Sequence, residues 1–99
     1  MALQIAILPD GREISCINVY EVAFSVHEIF SEDLSAHGIA LPPGGTYLDV
    51  GANIGLFSLY LRDRCPAGRI VAYEPIAEVF AALERNLAGL MPPGEAVPL

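Results

Sequence analysis

One stretch, "YLDVGANIGLFS" at residues 47–58, constrains the fold more than any other part of the chain. "TYLDV" is a short, β-rich apolar run that ends on an acid. "LFSLYLRDRC" has helical character, with its charges at the far end, and "PAG" stops it. Between them lie Gly51 and Gly55, with Asn53 midway. A strand that turns sharply into a helix needs residues that tolerate unusual backbone angles, and glycine and asparagine supply them. The stretch therefore predicts the start of a βα unit.

The rest of the unit follows directly. "RIVAYE" is continuously apolar before its final acid, as expected of a parallel strand covered on both faces. "PIAEVFAALERNLAG" predicts a second helix, with Pro75 in its first turn and Gly89 at its end. Ile76, Val79, Phe80, Leu83 and Leu87 fall on one helical stripe. Residues 46–89 thus predict β-α-β-α with a right-handed crossover.

Upstream, "LQIAIL" and "EISCINV" flank "PDGR", which predicts a β-hairpin with Gly11 in the left-handed position. "NVYEVAFSVHEIF" is ambiguous in period. Asn18 followed by Glu21 resembles a capping box and favours a helix burying Val22, Val26, Ile29 and Phe30. "SEDLSAHG" predicts one further short helix, with Ser31 as N-cap and Gly38 at its end. The expected division is a leader of hairpin and helices over 1–45 and a Rossmann-like half-domain over 46–99.

Composition excludes several functions. The chain has 99 residues, twelve acids, five arginines and a net charge of −7. Such a surface repels phosphate backbones, so nucleic acid is disfavoured as a partner. No apolar run approaches the ~20 residues of a membrane helix. The N-terminus lacks the basic opening of a signal peptide, so a cytoplasmic location is expected. Cys16 and Cys65 have no metal-type spacing and are expected to be reduced, structural thiols. No metal site is predicted.

The glycine turn also carries the chemistry. Free N–H groups at a helix start favour a polar or anionic ligand. Gly51 has no Cβ, so a ligand can lie against the main chain there, and Gly55 is expected to let helix and strand pack closely. Asp49 stands at the carboxyl end of its strand, where open α/β sheets bind ligands. Glu74 ends the neighbouring strand, and a carboxylate there can accept bonds from both hydroxyls of a ribose. Asn53 occupies the place of the middle glycine in a dinucleotide fingerprint, and no P-loop is present. A cofactor with a ribose and an amino-acid tail but no phosphate suits the turn best, namely S-adenosylmethionine. A ligand-free structural turn and a nicotinamide or flavin half-site are the competing readings.

"YLDVGANIGLFSLYL" followed by "GRIVAYEPIAEVFAALERNL" resembles the FkbM family of S-adenosylmethionine-dependent methyltransferases, through the motifs DVGANIG and EP. "LPDGREISCINVYEVAFSVHEIF" and "HGIALPPG" resemble the leader of that family, especially of members built into polyketide and peptide synthase systems. The resemblance implies an incomplete Rossmann-like methyltransferase fold of class α/β. It implies that Asp49, Gly51, Ala52, Asn53 and Gly55 line the methionine side of the cofactor. Glu74 would hold the ribose, and Pro75 and Ile76 would border the adenine. It further implies O-methylation of a hydroxyl on a small molecule, sugar or natural-product intermediate, free or carrier-bound. No residue is nominated as the catalytic base. The chain is expected to be the N-terminal, cofactor-binding portion, inactive without a complementing part. The alternative is a non-catalytic α/β module that associates through an open sheet edge.

Overall fold

The computed structural model describes residues 2–99, and Met1 of the leader lies outside the described residues. Strands β1 (Gln4–Ile7) and β2 (Glu13–Cys16) form an antiparallel hairpin that makes its own two-stranded sheet. Its loop closes through Leu8 N–H to Arg12 O at 2.8 Å and Gly11 N–H to Leu8 O at 2.9 Å. Gly11 adopts φ 91°, the left-handed conformation that the turn predicts.

Helix α1 (Val19–Phe30) resolves the ambiguous period in favour of helix. Asn18 caps it by accepting a hydrogen bond from Tyr20 N–H at 2.9 Å. Val22 is buried, and Val26, Ile29 and Phe30 pack against the core, as expected of that face. The next element is a single 3₁₀ turn, Leu34–His37, and its cap differs from the expected one. Asp33 accepts from Ala36 N–H, whereas Ser31 closes α1, donating its hydroxyl to the carbonyls of His27 and Glu28. The carboxylate lies one turn from the helical residues, and Ser31 is too far back to reach them.

The second sheet is parallel, with order β3-β4-β5. β3 (Thr46–Val50) and β4 (Arg69–Tyr73) are the two predicted strands, joined through helix α2 (Leu56–Arg64). Helix α3 (Ala77–Ala88) leads to β5 (Glu95–Val97), a strand the sequence pattern does not announce. Three residues hemmed in by Pro92, Pro93, Gly94 and Pro98 carry no visible alternation, and pairing with β4 is what makes them a strand. α3 also starts later than expected: Ile76 is its N-cap and is exposed, so Pro75 precedes the helix rather than sitting in its first turn.

One hydrophobic core serves both the leader and the β-α-β unit. Ala6, Leu8, Ile14, Cys16 and Val22 join Leu56, Leu59, Ala72, Leu83 and Leu87. Ile70, Val71 and Ala72 of β4 are all buried, which fits a strand covered on both faces. β3 is covered on one face only. Tyr47 and Asp49 are half-buried, whereas Leu48 and Val50 are 62% and 79% exposed.

Polar ties pin these pieces together. The Asn86 side chain on α3 accepts from Ser15 N–H at 2.8 Å and donates to Ser15 O at 2.9 Å and Ile54 O at 2.7 Å. Arg12 spans from the hairpin to both carboxylate oxygens of Asp63 on α2, at 2.9 Å each. Buried Arg62 directs its guanidinium at the carbonyls of Cys65, Pro66 and Gly68, closing the exit from α2. Cys16 and Cys65 are buried free thiols, as expected.

Candidate cofactor site

The strand-to-helix turn is held from beneath. The Glu74 carboxylate, only 5% exposed, accepts from Asn53 N–H at 2.9 Å through Oε1 and from Ile76 N–H at 3.0 Å through Oε2. It points at the glycine bend and joins that bend to the end of β4. Ala52 N–H donates to Tyr73 O at 2.9 Å, and Gly55 N–H donates to Ala52 O at 3.0 Å. The N–H groups of Ala52, Asn53 and Gly55 are therefore already engaged. The sequence-level expectation of free donors at this helix start does not hold for these three, because a neighbouring carboxylate and carbonyls satisfy them.

The two glycines have different tasks. Gly51 has φ 70°, and a Cβ built there would meet nothing within 4 Å. The space beside the bend is open, as an approaching ligand requires. Gly55 has φ 98° and is the N-cap of α2. A Cβ there would come within 2.9 Å of Leu83 and 3.0 Å of Leu87. Its missing side chain thus makes room for α3 rather than for β3. Asn53 takes φ 55°, the left-handed shape it tolerates.

Asp49 sits at the end of β3, where its Oδ2 accepts from the Ser58 hydroxyl at 2.7 Å. Burial pushes its carboxyl above the ordinary value of 3.8, and the Ser58 bond opposes that rise. Ser58 is fully buried on α2. The sequence reading missed it, although its place, three residues after Gly55, puts it on the helix face over the strand end.

A cavity of about 360 Å³ opens above the turn. Asp49, Gly51, Ala52 and Asn53 line it on one side. The end of β2 and helix α1 form the facing wall, through Cys16, Asn18, Glu21, Val22 and Ser25 among others. Of the remaining predicted site residues, Gly55 is buried under α3 and Glu74 lies beneath the loop. Pro75 and Ile76 are exposed outside the cavity wall. None of the five arginines and neither histidine lines the cavity; its carboxylates are Glu21 and Asp49.

Comparison with known proteins accords with this geometry. No family model matches the chain. It is 46% identical over 86 residues to the AMB antimetabolite synthetase AmbE of Pseudomonas aeruginosa, covering 86% of this chain and 4% of that protein. It is 40% identical over 80 residues to the 31-O-demethyl-FK506 methyltransferase FkbM of Streptomyces tacrolimicus, covering 80% of this chain and 31% of that one. Methyltransferase sdnD of Sordaria araneosa is 42% identical over 73 residues, 73% of this chain and 27% of sdnD. In structure, the chain resembles a crystal structure described as a putative sarcosine dimethylglycine methyltransferase from Galdieria sulphuraria. That match has a TM-score of 0.52 and 20% identity, and covers 81% of this chain and 30% of that one.

The fold is thus α/β and Rossmann-like, of the methyltransferase kind. By sequence the chain is similar to FkbM-type methyltransferases over most of its own length, and it spans less than a third of the length of these curated relatives.

Proposed function

We propose that this chain is the S-adenosylmethionine-holding part of an FkbM-type O-methyltransferase. One observation carries the reading: an open, side-chain-free bend at Gly51 lies over a buried carboxylate, Glu74, at the tips of adjacent parallel strands. The residues suit such a cofactor. Gly51 leaves room for it against the main chain, and Asp49 and Asn53 offer polar groups on the cavity wall. Glu74, buried beneath the loop with both oxygens accepting from backbone N–H groups, would shape the bend against which the ribose lies. Exposed Pro75 and Ile76 offer an apolar edge for an adenine. Engaged loop amides and the lack of a cation in the cavity both disfavour a pyrophosphate ligand.

When bound, S-adenosylmethionine would supply a sulfonium-activated methyl group for transfer to oxygen. This chain's residues would bind and orient the cofactor, and none is assigned as the base. The name of the FkbM relative refers to an O-demethyl compound, and on that likeness the acceptor is a hydroxyl of a natural-product intermediate. Relatives of which this chain spans less than a third fit a reading in which acceptor binding and proton removal reside in further sequence. Calorimetric titration with S-adenosylmethionine tests the reading. Binding that Gly51→Val abolishes is expected; no binding, or binding indifferent to Gly51→Val, would refute it.

A second reading rests on β3. Among the described residues no strand pairs with its outer edge, and Leu48 and Val50 are exposed beside it. Such an edge favours pairing with another chain.

A further inference from the structure

The cavity has two walls, and only one of them belongs to the glycine turn. The other is the leader: Asn18, Glu21 and Ser25 of the α1 region, above Cys16 and Val22. At about 360 Å³ the space lies near the lower end of the range for small-molecule pockets. Its charge has one sign. Glu21 and Asp49 are its carboxylates, while Arg12, Arg62, Arg64, Arg69 and Arg85 all lie elsewhere. A partly open space whose described lining holds carboxylates and no cation favours a guest of net positive charge and opposes one of net negative charge.

We infer that α1 is a working wall of the ligand site, and that Glu21 and Ser25 receive the ammonium and sulfonium charges of the ligand's aminocarboxypropyl end. This rests on the cofactor reading above. It extends the site beyond the glycine turn to a helix that neither the DVGANIG motif nor the acid after β4 includes. Glu21 supplies charge and Ser25 a hydroxyl, one helical turn apart on the face turned to the cavity. Phe24, the residue just before Ser25, is exposed and lies outside the cavity wall.

Calorimetry with two probes tests this. S-adenosylmethionine carries the charged tail; 5′-methylthioadenosine keeps the adenosyl group and sulfur but lacks both the tail and the charge. Glu21→Gln should weaken S-adenosylmethionine about tenfold, the value of one charge-assisted contact, and leave 5′-methylthioadenosine within about twofold. Ser25→Leu should fill the cavity and weaken S-adenosylmethionine further, with circular dichroism confirming that the variant is folded. Phe24→Ser should change neither affinity. The inference fails if Glu21→Gln binds S-adenosylmethionine as the wild type does, or weakens both probes equally. If those results come with binding that Gly51→Val still abolishes, only the role of the leader falls. If the wild type binds neither probe, both readings fall.

Discussion

The Glu74 carboxylate meets the main-chain N–H of Asn53 at 2.9 Å, although the two lie 21 positions apart in sequence. This bond and its companion to Ile76 set the distance between the glycine bend and the end of β4. Glu74→Ala would leave two partly buried donors unpaired, at a cost of about 2–4 kcal/mol. Glu74→Gln keeps one good acceptor and should lose about half as much. Urea unfolding of both variants measures this. Equal stability of Glu74→Ala and wild type would show that the carboxylate does not brace the loop.

Gly51 and Gly55 should answer differently to the same substitution. Gly51→Ala meets open space and carries only the left-handed backbone cost, about 1–2 kcal/mol. Gly55→Ala adds a clash with Leu83 and Leu87, which raises the loss to about 3 kcal/mol or more. Thermal unfolding of the pair checks the order. A more damaging Gly51→Ala would contradict the assignment of Gly55 to packing.

Asp49 makes a prediction about pH. Its carboxyl is raised by burial, so the folded chain binds this proton more tightly than the unfolded chain does. Its contribution to stability is complete below the unfolded value of 3.8 and is lost as pH rises through the folded value. Asp49→Asn removes that loss. The stability of Asp49→Asn relative to wild type should therefore grow as pH rises from 3.8. Urea unfolding at a series of pH values reads the difference, and a gap that shrinks with rising pH would overturn it.

Asn86 makes three hydrogen bonds that no local pattern announces. Asn86→Leu should destabilise by about 2–3 kcal/mol, because the main chain of Ser15 and the Ile54 carbonyl lose partners together. Amide hydrogen exchange at Ser15 should quicken in the same variant. Unchanged exchange there would mean that the hairpin is held by its apolar contacts alone.

The open edge of β3 predicts association. Sedimentation at rising concentration should show it, and Val50→Glu should weaken it about tenfold or more by placing a charge on an exposed strand. A monomer at every concentration would count against the second reading.

Most of the secondary structure was legible because its signals are local. The turn chemistry of "PDGR", the Asn18 cap and the DVGANIG bend each act within a few residues. What escaped depends on distance. β5 is a strand only because β4 is beside it. Ser58 and Asn86 are ordinary helix residues until their partners arrive from other elements. Gly55 was read as easing contact with the strand, but its close neighbours, Leu83 and Leu87, come from a helix nearly thirty residues further on. The motif identified the strand-to-helix turn, whereas the facing wall of the cavity lies in a leader segment whose pattern speaks only of a helix.

The clamp between Ser15 and Asn86 spans 71 residues of sequence. A two-stranded hairpin alone is marginally stable in water. On the ribosome, Ser15 emerges long before Asn86, so the hairpin must wait, with Leu8 and Ile14 uncovered, until α3 has been made. A pause in translation before residue 86 would prolong that vulnerable interval and give chaperones their longest access to this segment.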